Sequence, residues 1–143
     1  MLFGKRERAI RRILIVEDEP LVAFDNEHLL TEAGYEVVAT VDSLAEAVRV
    51  LGEEPAIDLV LSDIKLTGDG DGTDVARAAA AKGVPVLFVT ANCPIEARSL
   101  AIGCLAKPFS GRMMKNALQA LDRTLSGETV KRVPAGLSIY AET

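Results

Sequence analysis

The segment Ile13-Leu14-Ile15-Val16-Glu17-Asp18-Glu19-Pro20 decides the fold, because a compact apolar run passes directly into three acids and a proline. Four further apolar runs follow along the chain, within residues 35–41, 57–61, 84–89 and 104–106. Continuous apolar strands of this kind are typical of a parallel sheet that is covered on both faces. The pattern predicts five strands of an α/β protein.

Five longer segments with helical patterning lie between and after these runs. Each is followed by a glycine, the residue that most readily adopts the left-handed conformation found just past a helix end: Gly34, Gly52, Gly83, Gly103 and Gly127. The fourth of these helices is predicted between Pro94 and Ile102. With right-handed crossovers, the β-α order predicts a doubly wound five-stranded parallel sheet with five helices, a three-layer sandwich.

Composition restricts the classes of function that remain. The chain has 143 residues, the size of one domain, and a formal net charge of −5. Five of the first twelve residues are basic and one is acidic, so the remainder is more acidic still. An acidic domain has no broad phosphate-binding face, which argues against nucleic-acid binding. Neither a membrane-spanning run nor a signal peptide is present, so we expect a cytoplasmic protein with no membrane association. Because 143 residues leave no room for a second domain beside this α/β domain, we expect no separate output domain.

Cysteine and histidine usage argues against most metal chemistry. Cys93 and Cys104 lack the spacing of metal ligands and do not form a Cys-x-x-Cys motif, so we expect reduced thiols. A redox-sensing role for Cys104 is the alternative. The single histidine, His28, is predicted on a helix surface and excludes most histidine-based metal sites.

Chemically active side chains follow four of the five predicted strands. Glu17 and Asp18 follow the first strand, Asp63 the third, Thr90 the fourth and Lys107 the fifth. In doubly wound sheets, ligands bind outside the carboxyl ends of the strands, where these residues converge. Adjacent carboxylates repel unless a cation lies among them, and an oxygen-only ligand set favours Mg²⁺. A lysine and a threonine at the same place would complete a pocket for a phosphoryl group in transfer.

This set of residues, ending in Lys107-Pro108-Phe109, resembles the receiver domain of two-component response regulators over residues 12–126. The resemblance implies the flavodoxin-like strand order 2-1-3-4-5. It also implies that Asp63 is the phospho-acceptor. Mg²⁺ would be held by Glu17, Asp18, Asp63 and the backbone carbonyl of Lys65.

Further roles implied by the resemblance concern the fourth and fifth strands. Lys107 and Thr90 would each bind a phosphoryl oxygen, and the Lys107–Pro108 peptide bond would be cis. The family commonly has an aromatic residue three positions before the lysine, whereas this sequence has Cys104 there. The aromatic readout of phosphorylation is therefore not expected here.

The resemblance implies a single-domain switch rather than a conventional enzyme. It would accept a phosphoryl group from a histidine kinase or a histidine phosphotransfer protein, and act on an unknown downstream protein by contact or onward transfer. A homodimer through the last helix is an option, although most of Met113, Met114 and Leu118 are predicted to lie in the core rather than on a dimer face. One alternative is a degenerate receiver that acts as a binding scaffold. Another is a Mg²⁺-dependent phosphatase using an aspartyl-phosphate, which Lys65 disfavours because such enzymes have an acid there.

Three segments flank or interrupt this plan. Residues 1–11 are predicted to form a basic N-terminal extension, with residues 5–12 solvated and partly frayed. Residues 127–143 form a tail in which Leu137, Ile139 and Tyr140 are spaced like a short strand, so we expect it to pack on the domain or on a second copy. The loop 67–74 is predicted to be flexible, and it does not match a calcium-binding EF-hand.

Overall fold

The computed structural model describes residues 8–140 of the chain. Six strands are present: β1 (Arg12–Val16), β2 (Glu36–Val41), β3 (Leu59–Ser62), β4 (Val86–Thr90), β5 (Gly103–Ala106) and β6 (Leu137–Ile139). They are connected through four α-helices, α1 (Pro20–Glu32), α2 (Leu44–Glu53), α3 (Gly72–Ala81) and α4 (Gly111–Leu125), and one 3₁₀ helix, Ile95–Ser99. No helix in this described range is long and apolar enough to cross a membrane.

The strands form one sheet in the order β2-β1-β3-β4-β5-β6. The first five are parallel, so the predicted α/β fold and its strand order are confirmed. In the pairing of β1 with β3, Val16 lies opposite Ser62. The residues that directly follow these two strands, Glu17 and Asp63, therefore emerge side by side at the carboxyl edge of the sheet.

Apolar side chains cover both faces of the sheet. Ile13 and Ile15 pack with Leu30 of α1 and Leu118 of α4, whereas the alternating residue Leu14 packs in a second cluster on the opposite face. That second cluster is completed by α2 and α3. Burying each large aliphatic side chain is worth about 1.5–3 kcal/mol, which explains why strands with two buried faces read as unbroken apolar runs.

The last helix contributes to this core rather than to a free face. Met114 and Leu118 have no exposed surface, and Met113 is half-buried. The two fully buried residues therefore do not supply the dimer surface considered from the sequence.

The predicted fourth α-helix is absent from the described structure. The connection from β4 to β5 instead contains the five-residue 3₁₀ helix, of which only Ala97 is buried. So short a segment, with no continuous apolar stripe, gains too little from packing to offset the cost of nucleating an α-helix. The prediction of five helices was wrong at this point.

Two of the five predicted glycine stops were also wrong. Gly34, Gly83 and Gly127 follow helices and have φ of 95°, 72° and 88°, as expected for residues past a helix end. Gly52 instead lies inside α2. Gly103 begins β5, where a Cβ atom would lie 2.7 Å from the Ser138 carbonyl oxygen, so this glycine permits the close approach of β6.

The chain preceding β1 packs against the end of α4. The backbone amides of Ala9 and Ile10 donate to the Asp122 carboxylate at 3.1 and 2.9 Å, and Ile10 has no exposed surface. The predicted solvated, frayed segment is therefore wrong at Ile10, although Arg8 and Arg11 are exposed. Residues 1–7 of the predicted basic extension lie outside the described residues.

The tail packs on the domain as the sequence pattern predicted. Its strand β6 pairs antiparallel with β5, with Leu137 opposite Leu105. Leu137 is buried, and the Tyr140 amide donates to the Ile102 carbonyl at 2.9 Å. The sheet therefore has six strands rather than five, because the tail covers the edge that β5 would otherwise expose.

Candidate functional site

Four strands deliver polar side chains to one edge of the sheet. Glu17 follows β1, Asp63 follows β3, Thr90 ends β4, and Lys107 follows β5. The backbone hydrogen bonds between β1 and β3 continue as far as the site, since the Asp63 amide donates to the Val16 carbonyl at 3.1 Å. These side chains are thus presented from the hydrogen-bonded ends of the central strands.

Lys107 lies at the centre of the cluster. Its Nζ is 2.9 Å from Asp63 Oδ2 and 3.5 Å from Glu17 Oε1. The backbone amide of Lys107 donates to the Thr90 carbonyl at 2.8 Å, which joins the ends of β4 and β5. The Lys107–Pro108 bond is cis, as the resemblance implied. The structure therefore brings Asp63, Glu17 and Lys107 into direct contact.

The Asp63 carboxylate is held at both oxygens. Oδ1 accepts a hydrogen bond from the Ile64 amide at 2.7 Å, while Oδ2 accepts from Lys107. The Ser62 hydroxyl donates to the Asp63 carbonyl at 2.7 Å, which secures the turn beneath it. The side chain remains 14% exposed. A fixed but accessible carboxylate can meet a reactant approaching from solvent.

Glu17 is the most buried member of the cluster, with a side chain that is 1% exposed. Burial raises its pKa, and the Asp63 charge adds to this, whereas the Glu19 amide at 3.1 Å and Lys107 act in the opposite direction. Burial by itself would lower the pKa of Lys107, but the hydrogen bond and charge of Asp63, aided by Glu17, raise it. The lysine is therefore held in its charged form.

The remaining predicted residues lie at the rim. Asp18 Oδ2 accepts a hydrogen bond from the Thr67 hydroxyl at 3.1 Å, so the loop after β3 contacts the acidic segment that follows β1. Thr90 is half-buried at the end of β4. Lys65, whose carbonyl the resemblance implied as a metal ligand, is an exposed residue of the same loop. Thr67 was not identified from the sequence as a partner of Asp18.

Gly72 is a site residue that sequence reasoning missed. It begins α3, and its amide donates to the Ile64 carbonyl at 2.6 Å. A Cβ atom here would collide with the Asp63 carbonyl oxygen and lie 2.7 Å from Ile64 Cα. Only glycine lets the helix start against the turn that carries Asp63.

The predicted loop 67–74 ends earlier than expected, because α3 begins at Gly72. The Asp71 side chain accepts from the amides of Thr73 and Asp74, while Asp74 accepts from the Asp71 amide. This reciprocal capping starts α3 at Gly72. The Asp71-x-x-Asp74 spacing was the sequence signal that could have revealed the helix start.

The expectation of reduced cysteines was wrong. Cys93 and Cys104 form a disulfide, with Cα atoms 6.1 Å apart. Cys104 lies in β5 opposite Phe88 of β4, and the connection between these strands folds back to bring Cys93 alongside. Sequence spacing carries no signal for this pairing, because it depends on how the connection between the strands is folded.

The donor set of the site fits Mg²⁺ chemically. Glu17, Asp18 and Asp63 offer the hard oxygen ligands that this cation prefers. Among residues 8–140, no group of three or more acidic, histidine or cysteine side chains forms a ready-made metal cage. Mg²⁺ does not require one, since it usually keeps several waters and binds through one or two carboxylates.

Comparison with known proteins gives relatives that are named as regulators. The chain is 39% identical over 80 residues to the phyllosphere-induced regulator PhyR of Methylorubrum extorquens, covering 55% of this chain and 30% of that protein. It is 40% identical over 106 residues to the transcriptional regulatory protein PdtaR of Mycobacterium tuberculosis, covering 70% and 51%. The chain therefore spans about a third of the length of the first relative and about half of the second.

A solved structure shows the same fold. The receiver domain of the sensor histidine kinase PA1611 from Pseudomonas aeruginosa PAO1 is 30% identical, with a TM-score of 0.66 over 77% of this chain and 95% of that one. A magnesium ion is coordinated in the active-site cleft of that domain. The family described as the response regulator receiver domain matches residues 13–119, most of the chain. Together with the fold and the edge cluster, this match shows that the chain belongs to the response regulator receiver domains of two-component signalling.

Proposed function

We propose that Asp63 accepts a phosphoryl group, in a Mg²⁺-dependent reaction, from a histidine kinase or a histidine phosphotransfer protein. The observation that carries this proposal is the accessible Asp63 carboxylate, 2.9 Å from the Lys107 ammonium at the carboxyl edge of the sheet. Family membership supports it, because receiver domains are signalling domains rather than conventional enzymes.

The transfer is a displacement at phosphorus. A carboxylate oxygen of Asp63 attacks the phosphorus of a phosphohistidine, and the phosphorus–nitrogen bond breaks as the new phosphorus–oxygen bond forms. The electron pair of the broken bond stays on the imidazole nitrogen of the donor. The product is an acyl phosphate on Asp63. Fixed hydrogen bonds to both carboxylate oxygens position this nucleophile before the donor arrives.

Lys107 and Thr90 are proposed to bind the transferred group. The Lys107 ammonium, which contacts Asp63 Oδ2, would hydrogen-bond a phosphoryl oxygen, and the Thr90 hydroxyl would donate to another. Asp18, Asp63, Glu17 and the Lys65 carbonyl would hold Mg²⁺. When bound, this cation would neutralise charge on the phosphoryl oxygens. Desolvation of Glu17, which raises its pKa, would be relieved by a cation beside it.

The output is proposed to be a protein contact or onward transfer of the phosphoryl group from a cytoplasmic protein. PhyR and PdtaR are described as regulators, and this chain covers 30% and 51% of them, which leaves their other parts unmatched. The chain corresponds to a receiver, with the boundaries proposed at residues 12–126. Its partners are then a phosphodonor kinase or phosphotransfer protein and a downstream protein, and self-association is a further option.

Intact-mass analysis after incubation with acetyl phosphate tests this proposal. Wild-type protein should gain a single phosphoryl adduct that depends on Mg²⁺ and that hydroxylamine removes. Asp63→Asn should gain none. The matched control is Asp69→Asn, since Asp69 is an exposed acid of the loop after β3 and its variant should be labelled like wild type.

A second candidate function is a binding scaffold that does not switch. It is favoured by the disulfide that ties Cys93, in the connection after Thr90, to β5. Repeating the labelling with a phosphorylated kinase as donor separates the two candidates. An adduct on Asp63 supports the switch, whereas no adduct from either donor supports the scaffold and contradicts the proposal.

A further inference from the structure

The Cys93–Cys104 disulfide connects two segments that also carry residues of the site. Cys93 lies three residues after Thr90, and Cys104 lies three residues before Lys107. The cross-link closes a ring that contains most of the β4–β5 connection, including the 3₁₀ helix Ile95–Ser99. The covalent state of this cysteine pair therefore bears directly on a segment adjoining the site.

The other contacts that hold this connection in place are non-covalent. Its backbone hydrogen bonds are mostly local, such as that from the Leu100 amide to the Ala97 carbonyl, whereas the Ile102 amide donates to the Val86 carbonyl of β4 at 2.9 Å. Ala97 is the buried residue of the 3₁₀ helix, and Ile95 is 77% exposed. A single short 3₁₀ helix is not stable alone. The disulfide thus adds a covalent restraint between Cys93 and the sheet to the packing of Ala97, Leu100 and Ala101.

The two sulfurs differ in access. Cys104 has no exposed surface and packs in the core, beside Phe88 in the neighbouring strand. Cys93 is half-buried and lines an open groove of about 980 Å³, together with Pro94, Leu100 and Tyr140. A thiol from solvent can therefore approach the bond from the side of Cys93 but not from the side of Cys104.

We propose that Cys93 and Cys104 form a reversible thiol–disulfide site that fixes or releases the β4–β5 connection, with small thiols and disulfides as co-reactants. For reduction, an external thiolate attacks Cys93 Sγ, forming a mixed disulfide and releasing Cys104, which takes up a proton. A second external thiolate attacks the external sulfur, forming the external disulfide and releasing Cys93, which is protonated in turn. Two electrons pass from two external thiols to the protein, and oxidation runs through the same steps in reverse.

This site goes beyond phosphoryl acceptance and does not depend on it. In the oxidised protein the connection after Thr90 is tied to β5, whereas in the reduced protein only non-covalent contacts hold it, namely the packing of Ala97, Leu100 and Ala101 and the backbone bonds. Any effect of the disulfide on movement of the β4–β5 connection during phosphorylation rests on the proposed function. The readouts below therefore report on the cysteine pair even if Asp63 accepts no phosphoryl group.

Glutathione exchange on the folded chain, with reduced and oxidised glutathione as probes, tests the redox chemistry. The exchange is quenched with acid, and the thiols are then alkylated in denaturant, where the buried Cys104 can also react, before the intact mass is measured. Oxidised protein should take up no alkyl group, protein treated with reduced glutathione should take up two, and oxidised glutathione should restore the first state. Two accessible thiols that persist in oxidised glutathione would overturn the proposal. So would a disulfide that stays closed in excess reduced glutathione while the chain remains folded.

Hydrogen exchange tests the consequence for the connection. Reduction should accelerate amide exchange in residues 91–102 by roughly tenfold or more, because opening a cross-link restores freedom to the chain it enclosed. Exchange in β1 should not change. Cys93→Ser, which replaces the half-buried partner, should reproduce the reduced state without reductant, and reduced wild type provides the same comparison if that variant does not fold. Equal exchange in both redox states would show that the disulfide does not fix the connection.

Discussion

The Lys107 ammonium lies 2.9 Å from Asp63 Oδ2, although the two residues are 44 positions apart in the chain. The same nitrogen lies 3.5 Å from the buried carboxylate of Glu17. One cation thus stabilises two acids that would otherwise repel one another at the edge of the sheet. Four predictions follow from the geometry around this ion pair and the elements that support it.

Replacing Lys107 with methionine should lower the free energy of unfolding at neutral pH by about 1–3 kcal/mol, since both acids lose a charged hydrogen-bond donor. Lys107 has a raised pKa in the folded protein, so its contribution is present below its ordinary pKa of 10.5 and is lost as pH rises through the folded-state value. Urea unfolding across pH measures this. The control is Lys65→Met, an exposed lysine nearby. Equal losses in both variants would contradict the ion-pair role.

Replacing Glu17 with glutamine should stabilise the protein without Mg²⁺ while weakening Mg²⁺ binding. The pKa of Glu17 is raised above its ordinary value of 4.5, so the folded state favours its protonated form. Its contribution is fully present below pH 4.5 and is lost as pH rises through the folded-state pKa. Glutamine does not ionise, so the variant does not lose stability in this way. Its free energy of unfolding should therefore rise relative to that of wild type as the pH goes from acid to neutral.

Urea unfolding with and without Mg²⁺ measures both effects of the Glu17 change. Glu19→Gln is the control, because Glu19 is exposed and contributes only its backbone amide to Glu17. A Glu17→Gln variant that is less stable than wild type at neutral pH, in the absence of Mg²⁺, would show that burying the Glu17 charge does not destabilise the folded protein.

Replacing Gly72 with alanine should destabilise the domain by about 1–3 kcal/mol, because the added Cβ meets backbone atoms that cannot move aside. It should also slow phosphorylation, because the displaced backbone carries Asp63. Gly52→Ala is the control, since a Cβ there meets nothing within 4 Å and lies within α2, where alanine is favoured. Thermal unfolding and labelling by acetyl phosphate measure the two effects. Similar behaviour of the two variants would refute the steric argument.

Ending the chain at Gly127 should lower the melting temperature and promote self-association. The truncation removes β6 and leaves the β5 edge, Gly103–Ala106, unpaired. Leu137→Ala should cause part of the loss, about 1–3 kcal/mol, whereas Ser138→Ala at an exposed position should not. Calorimetry and light scattering measure stability and mass. A truncated chain with unchanged melting temperature and mass would show that the tail does not support the sheet.

Local sequence was sufficient for the features that depend on patterning. The run Ile13–Val16, buried on both faces, predicted a central parallel strand because every residue of such a strand must be apolar. The positions of Glu17, Asp63 and Lys107 were predictable for a related reason. A strand ends where the apolar run ends, and parallel strands bring their carboxyl ends to one edge.

Tertiary structure alone decided the features that depend on contacts between distant segments. Gly72 is required because α3 begins against the Asp63 turn, a contact that no local pattern encodes. The Cys93–Cys104 bond exists because the chain after β4 brings Cys93 beside β5, a contact between segments that sequence spacing does not encode. The sequence by itself determined which residues reach the edge of the sheet. The packing of the chain determined which of them touch, because contact distance is set by all the elements that pack together.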